Sequence, residues 1–148
     1  MIPLIENKKA RKDYTILDTI EAGIVLTGQE VKSVRAKRLS IHDAFVRVLS
    51  GEVFLINARI EQLQNVAHVS YDPTHSRKLL LKRKQIKDIE EQLHTKGLTA
   101  LPLLIGTHKN FIKVLIGIGK GKKTYERKEE LKKRDLKRES ERSLKLRK

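Results

Sequence analysis

The chain is 148 residues and 17.1 kDa, room for one domain with a tail. Its 33 Lys and Arg against 18 Asp and Glu give a net charge of +15 and a pI near 10.1, which excludes an acidic buffer protein and points to a polyanionic partner. It holds no Cys, so disulfides, thiolate metal sites and Cys nucleophiles are excluded as well.

At the N-terminus a short apolar run, Ile2-Pro-Leu-Ile5, meets the charge of Glu6 at once. A secretory segment needs roughly 7–15 apolar residues after a positive start, so this order is reversed. The longest apolar stretch, 98–106, is broken by Thr99 and Pro102 and falls well short of the ~18 residues of a membrane span. The expectation is a cytoplasmic protein with no membrane segment.

The β-branched and apolar residues of 14–20 and 22–26 predict two strands. Gly28 breaks that pattern, and Val31 and Val34 then predict a short helix over 29–36. Strands over 44–49 and 53–60 flank Ser50-Gly51-Glu52, a hairpin turn. Asp72-Pro73-Thr74 is turn and cap chemistry, and Leu79, Ile86, Ile89 and Leu93 share one face of a helix predicted over 77–94, with Gly97 as its stop. A last strand pair covers 99–105 and 111–118, with Pro102 at an edge or bulge. Tyr14, Phe45, Phe54 and Phe111 are expected in the core, Tyr71 and Tyr125 in polar segments. So many short strands in so little chain predict a mainly β fold, an OB-like closed antiparallel β-barrel with two or three flanking helices, over 1–119.

Residues 120–148 form a basic tail. They hold 14 Lys and Arg against 6 Asp and Glu, a net +8 beside +7 for the remainder. Apolar groups there are too few to offset the entropy of ordering. Yet the tail is rich in helix formers, with neither Gly nor Pro after Gly121. The expectation is a segment disordered when free and helical when docked on a polyanion.

Catalytic patterns are scarce. The five His (42, 68, 75, 94 and 108) make no HExxH, no Ser lies in GxSxG, and no metal site or cofactor is expected. His42-Asp43 reads as a loop pair before a strand. Gly117-Ile-Gly-Lys-Gly-Lys-Lys-Thr124 follows a strand as a phosphate loop does, but matches neither GxxxxGK[ST] nor GxGxxG.

The basic clusters are stronger signals: Lys8, Lys9, Arg11 and Lys12; Lys32, Arg35, Lys37 and Arg38; Arg77, Lys78 and 82–84; Lys113; and Lys120, Lys122 and Lys123. Together they predict nucleic-acid binding that weakens steeply with salt. Aromatic residues are only 4% of the chain, which favours a folded RNA read by shape over a strand read by stacking. Glu21 and Glu30 stand among these bases either as ion-pair partners or as acceptors for base amino groups.

Several segments resemble a known family along nearly the whole chain. They are Asn7-Lys-Lys-Ala-Arg11 with Tyr14, Glu21-Ala-Gly23, Gly28-Gln-Glu-Val-Lys-Ser33, Asp72-Pro-Thr with Arg77-Lys-Leu-Leu-Leu81, and Gly119-Lys-Gly-Lys-Lys123. Their order and spacing are similar to those of the bacterial SsrA-binding proteins (small protein B). The resemblance implies an OB-like barrel that binds the tRNA-like domain of transfer-messenger RNA and delivers it to stalled ribosomes for trans-translation. It implies a monomeric adaptor without catalysis.

By position, Asn7, Glu21, Leu80 and Lys113 match the family's RNA-binding surface. Glu30, Lys32, Arg35, Arg77 and Lys78 lie in the same motifs, and Lys8, Arg11, Lys120, Lys122 and Lys123 in the adjoining basic clusters. Pattern alone would bury Leu80 beside Leu79, against the resemblance. The family's tail motif, which enters the decoding centre and mRNA channel of the ribosome, aligns with Tyr125-Glu126-Arg127-Lys128. There the order of the two bases is exchanged. His75 replaces a usual Arg, and Lys82 and Tyr71 also depart from the common pattern. Two other readings are a structural ribosomal RNA-binding protein and an RNA-cleaving enzyme using His42 or His68.

Overall fold

The computed structural model describes residues 1–62 and 70–122, which form nine strands and three helices. In chain order these are β1 (Ile2–Glu6), α1 (Lys8–Asp13), β2 (Tyr14–Ile24), α2 (Gly28–Arg35), β3 (Leu39–Ser40), β4 (Phe45–Leu49), β5 (Glu52–Ile56), β6 (Arg59–Ile60), β7 (Arg77–Leu80), α3 (Arg83–His94), β8 (Thr99–His108) and β9 (Phe111–Gly121). The expected tail beyond 122 lies outside the described residues.

Antiparallel pairing runs β8-β4-β5-β7-β2-β9, and β9 returns to β8, so six strands close a ring. β1 adds to the far half of β8, and β3 with β6 makes a separate two-stranded ladder. Two hairpins fix the register. Ser50 and Gly51 (φ 51° and 76°) turn β4 into β5 with Leu49 opposite Glu52. Lys109 and Asn110 (φ 49° and 71°) turn β8 into β9 with His108 opposite Phe111. Two successive left-handed residues match the twist of the flanking strands.

Alternation decides what lies inside. Leu79, Ala22, Val114 and Ile105 point inward from four successive strands of the ring and join Val46, Val53, Leu55, Ile116 and Ile118. Val34 of α2 and Ile89 of α3 are fully buried in the same cluster. Removing three buried carbons by Ile89→Ala is expected to cost about 2–5 kcal/mol in denaturant unfolding. Ala10 of α1 packs separately, against Leu101 and Leu103 of β8.

Several expectations change. The strands over 14–20 and 22–26 merge into one β2 that ends at Ile24, with an irregularity between Ile16 and Asp18, because β9 pairs with it continuously from Tyr14 to Gly23. The strand over 53–60 is two, since Asn57 turns left-handed (φ 62°). The helix over 77–94 begins only at Arg83, and 77–80 is strand β7. β1 and α1 were not anticipated. Phe111 is 68% exposed rather than core, and Tyr14, Phe45 and Phe54 are only half-buried. The final pair extends to His108 and Gly121, two residues past the expected barrel boundary at 119, and Pro102 sits at a register shift as expected.

Candidate nucleic-acid interface

Register places one row of residues across five strands. Leu80 of β7 lies opposite Gly23 of β2, Gly23 opposite Lys113 of β9, Lys113 opposite Gly106 of β8, and Gly106 opposite Pro3 of β1. The neighbours Leu79, Ala22, Val114 and Ile105 face the core, so this row faces out. Leu80 is 53% exposed, the placement the resemblance implied and the pattern alone opposed. Side chains two residues apart share a face, so Lys78, Glu21 and Phe111 stand beside the row. Glu21, Lys78, Leu80 and Lys113, scattered over 93 positions of sequence, are thus gathered on one outer surface.

The charges there are loosely held. The Glu21 carboxylate meets His108 Nδ1 at 3.3 Å, and Lys78 Nζ meets Glu52 at 3.2 Å, all four side chains being well exposed. Lys113 has no ion-pair partner among the described residues. The edge of this face is bounded by α2, whose Arg35 donates from Nη2 to the Asn110 carbonyl at 2.9 Å, with Lys32 one turn earlier. On the other side Lys78 and Leu80 line an open groove of ≈ 770 Å³ shared with Arg83, Ile86 and Lys87 of α3.

Asn7, Glu30 and Arg77, expected on the RNA-facing surface, are instead buried, with 1%, 2% and 1% exposure. Asn7 caps α1 by accepting from the Ala10 N–H at 3.1 Å, and its Nδ2 donates to the Ile41 and Pro102 carbonyls at 3.0 and 2.9 Å. Glu30 closes the capping box of α2: its Oε1 accepts from the Thr27 N–H at 3.1 Å, and its own N–H donates to Thr27 Oγ1. Its Oε2 takes Arg77 Nε at 2.9 Å and Nη2 at 2.8 Å, the Tyr71 hydroxyl at 3.1 Å and His75 Nε2 at 2.9 Å. Arg77 also donates to the Ala58 and Pro73 carbonyls and to Tyr71. Burial raises the Glu30 pKa, but the Thr27 N–H and the Arg77 guanidinium outweigh it, and the carboxyl sits below its ordinary value. Burial and the Glu30 charge raise the Tyr71 phenol. The Thr74 N–H holds Asp72 low. The network ties α2 to β7 and to the Asp72-Pro73-Thr74 turn, so it sets where Lys32, Arg35, Lys78 and Leu80 stand.

A second group of bases occupies the opposite end of the β2–β9 ribbon. Lys8 and Arg11 are exposed on α1, and Lys120 pairs in register with Thr15. The Lys122 N–H donates to the Asp13 carbonyl at 2.8 Å and its Nζ to the Arg11 carbonyl at 3.3 Å. Lys122 is nine positions beyond Lys113, about 30 Å at the usual strand rise. Lys123, Tyr125, Glu126, Arg127 and Lys128 lie outside the described residues, as does His68.

His42 and Asp43 line a cleft of ≈ 330 Å³ with Lys9, Asp13 and Tyr14, where Asp43 meets Lys9 at 3.4 Å. Among the described residues no three His, Cys, Asp or Glu side chains converge as a metal site, and no helix is long and apolar enough to cross a membrane. Sequence reasoning missed Phe111, His108 and Gly23 as members of the outer face. The available signal for Phe111 was its even spacing from Lys113 behind a Lys-Asn turn.

Loosely paired cations and exposed apolar groups on one side of a strand ring, with more bases at its far end, are the equipment of a nucleic-acid-binding β domain. The particular family follows from comparison with known proteins. A family model described as "SmpB protein" matches residues 4–146. The SsrA-binding protein of Halalkalibacterium halodurans is 49% identical over 142 residues, 96% of this chain and 92% of the relative. That of Shouchella clausii is 48% identical over 142 residues, 96% and 91% of the two chains. A solved structure described as "tmRNA-SmpB: a journey to the center of the bacterial ribosome" superposes with a TM-score of 0.69 at 41% identity, covering 82% of this chain and 86% of its own. The chain belongs to the SmpB protein family.

Proposed function

We propose that this protein is an RNA-binding adaptor of trans-translation: it binds the tRNA-like domain of transfer-messenger RNA and brings it to stalled ribosomes in the cytoplasm. Family membership and the ribosomal setting of the matched structure support this reading. The observation that carries it furthest is the register that gathers Glu21, Lys78, Leu80 and Lys113 on one outer face while the chain leaves the ring at Lys122, at the other end of β9.

In this reading the six-stranded ring is an OB-like closed barrel that ends with β9 at Gly121, and the chain beyond Lys122 is a tail that docks as a helix in the ribosomal decoding centre and mRNA channel through Tyr125, Glu126, Arg127 and Lys128. The outer face takes the RNA directly. Asn7, Glu30 and Arg77 serve it from beneath by fixing α1, α2 and β7. Lys8, Arg11, Lys120, Lys122 and Lys123 supply phosphate contacts beside the tail. The protein works as a monomer, without catalysis or cofactor.

Lys113→Ala and Glu21→Ala are each expected to weaken binding to the tRNA-like domain by about 1–3 kcal/mol, with little change in unfolding midpoint. Lys113→Ala should also flatten the plot of log affinity against log salt by roughly one unit, the mark of one lost phosphate contact. A salt-titrated assay with an ordinary tRNA as competitor checks both, and unchanged affinity in both variants rejects this face as the binding surface. The structural ribosomal-protein reading predicts constant co-sedimentation with ribosomal subunits. The adaptor should leave them when transfer-messenger RNA is removed.

A further inference from the structure

The outer row contains a glycine whose missing side chain has a specific effect. A Cβ built on Gly23 would stand 3.2 Å from Leu80 Cβ, 3.5 Å from its Cδ1 and 3.8 Å from its Cγ. Cross-strand Cβ atoms ordinarily lie about 4.5–5.5 Å apart. Leu80 therefore crowds the space above β2 that a side chain at 23 would fill, and Lys113 is the next residue of the row on the far side of Gly23. Gly23 has no left-handed backbone to explain it: Gly51 and Gly97 are the glycines with positive φ among the described residues. Nor does it sit under backbone as Gly106 does, where a Cβ would be driven into the Ile2 carbonyl. What Gly23 accommodates is one exposed leucine.

We propose that Gly23 is a positioning residue of the RNA-binding face: lacking a Cβ, it lets Leu80 lie flat across β2, so that an apolar surface and the Lys113 ammonium present side by side to one nucleotide. The inference rests on the outer face being the RNA-binding surface. The joint it adjusts is small, because β2 and β7 pair through two residues each, Gly23 with Leu80 and Ile24 with Leu79. An alanine at 23 pushes Leu80 off β2 without entering the core, since its neighbours on the row all face outward.

The test is a cycle of Gly23→Ala, Leu80→Ala and the double variant, each measured for affinity to the tRNA-like domain and for thermal unfolding. Gly23→Ala is expected to bind about tenfold more weakly, with an unfolding midpoint equal to or above that of the parent because alanine suits a strand interior better than glycine. In the Leu80→Ala background the same change should alter affinity no further. Parental affinity in Gly23→Ala, or an equal loss with and without Leu80, overturns the inference while the binding face stands. If Leu80→Ala and Lys113→Ala both bind as the parent does, the face itself is wrong. An independent check needs no variant: nuclear Overhauser contacts from the Leu80 methyls to the Gly23 Hα in the free protein are expected, and their absence also overturns it.

Discussion

Removal of residues 124–148 is expected to leave affinity for the tRNA-like domain within about threefold of the full chain and to abolish peptide tagging on stalled ribosomes. The two activities separate because the two surfaces do. Glu21, Leu80 and Lys113 face outward near the β8–β9 turn, whereas the strand ends before Lys122, whose N–H is pinned to the Asp13 carbonyl at the end of α1. The deletion begins past Lys122, which stands about 30 Å along β9 from Lys113 at the usual strand rise, several times the Debye length of roughly 8 Å at physiological ionic strength. Binding to isolated RNA and tagging in a reconstituted translation system give the two readouts. A deletion that lost RNA affinity a hundredfold would mean that tail and ring form a single binding surface. A deletion that still supported tagging would remove the tail from the mechanism.

Glu30→Ala is expected to destabilise the protein by about 3–5 kcal/mol, because it strands the buried Arg77 guanidinium beside only neutral acceptors. Those acceptors are the carbonyls of Ala58 and Pro73 and the Tyr71 hydroxyl. The capping box of α2 goes with it. A loss under about 1 kcal/mol in urea unfolding would show that water or another anion replaces the carboxylate.

The same residue predicts an acid limb. Its folded pKa lies below its ordinary value of 4.5, so folding favours the ionised form. The stabilisation is complete above that value and disappears as pH falls through the lower, folded one. The difference in unfolding free energy between the parent and Glu30→Gln should therefore be constant near neutrality and shrink below about pH 4.5. A difference that stays level to pH 3 assigns the acid limb to other carboxylates.

Local chemistry made some elements readable in advance. Ser50-Gly51 is turn chemistry of the kind that a two-residue hairpin demands, and Pro102, with no N–H to offer, marked its own irregularity. Strand β7 was hidden because Leu79, Ile86, Ile89 and Leu93 fit a helical face across a strand–helix junction, and because the inward position before Leu79 is Arg77, a charge. A buried charge is legible only together with its partner, which lies 47 residues away. The spacing Thr27-x-x-Glu30 was the available sign that Glu30 belongs to a helix cap rather than to a surface. β1 could not be read at all, since Ile2-Pro-Leu-Ile5 has no alternation and its partner is β8. At the candidate site, charge counts suggested what kind of partner to expect, but only strand register brought Glu21, Leu80 and Lys113 together.

The pairing of β1 with β8 also sets a schedule for the molecule's own synthesis. Ile2 leaves the ribosome more than 100 residues before Thr107, its partner, and Asn7 waits 95 residues for the Pro102 carbonyl. At roughly 5–20 residues per second the first strand stays unmatched for about 5–20 s. An incomplete copy ending before β9 has neither the closing strand nor a lasting seat for its apolar residues, and is open to proteases throughout. The ring can close only once β9, which ends at Gly121, has been made. For a protein proposed to act where messages break off early, a fragment of itself that ends before Phe111 therefore lacks the strand that closes its own ring.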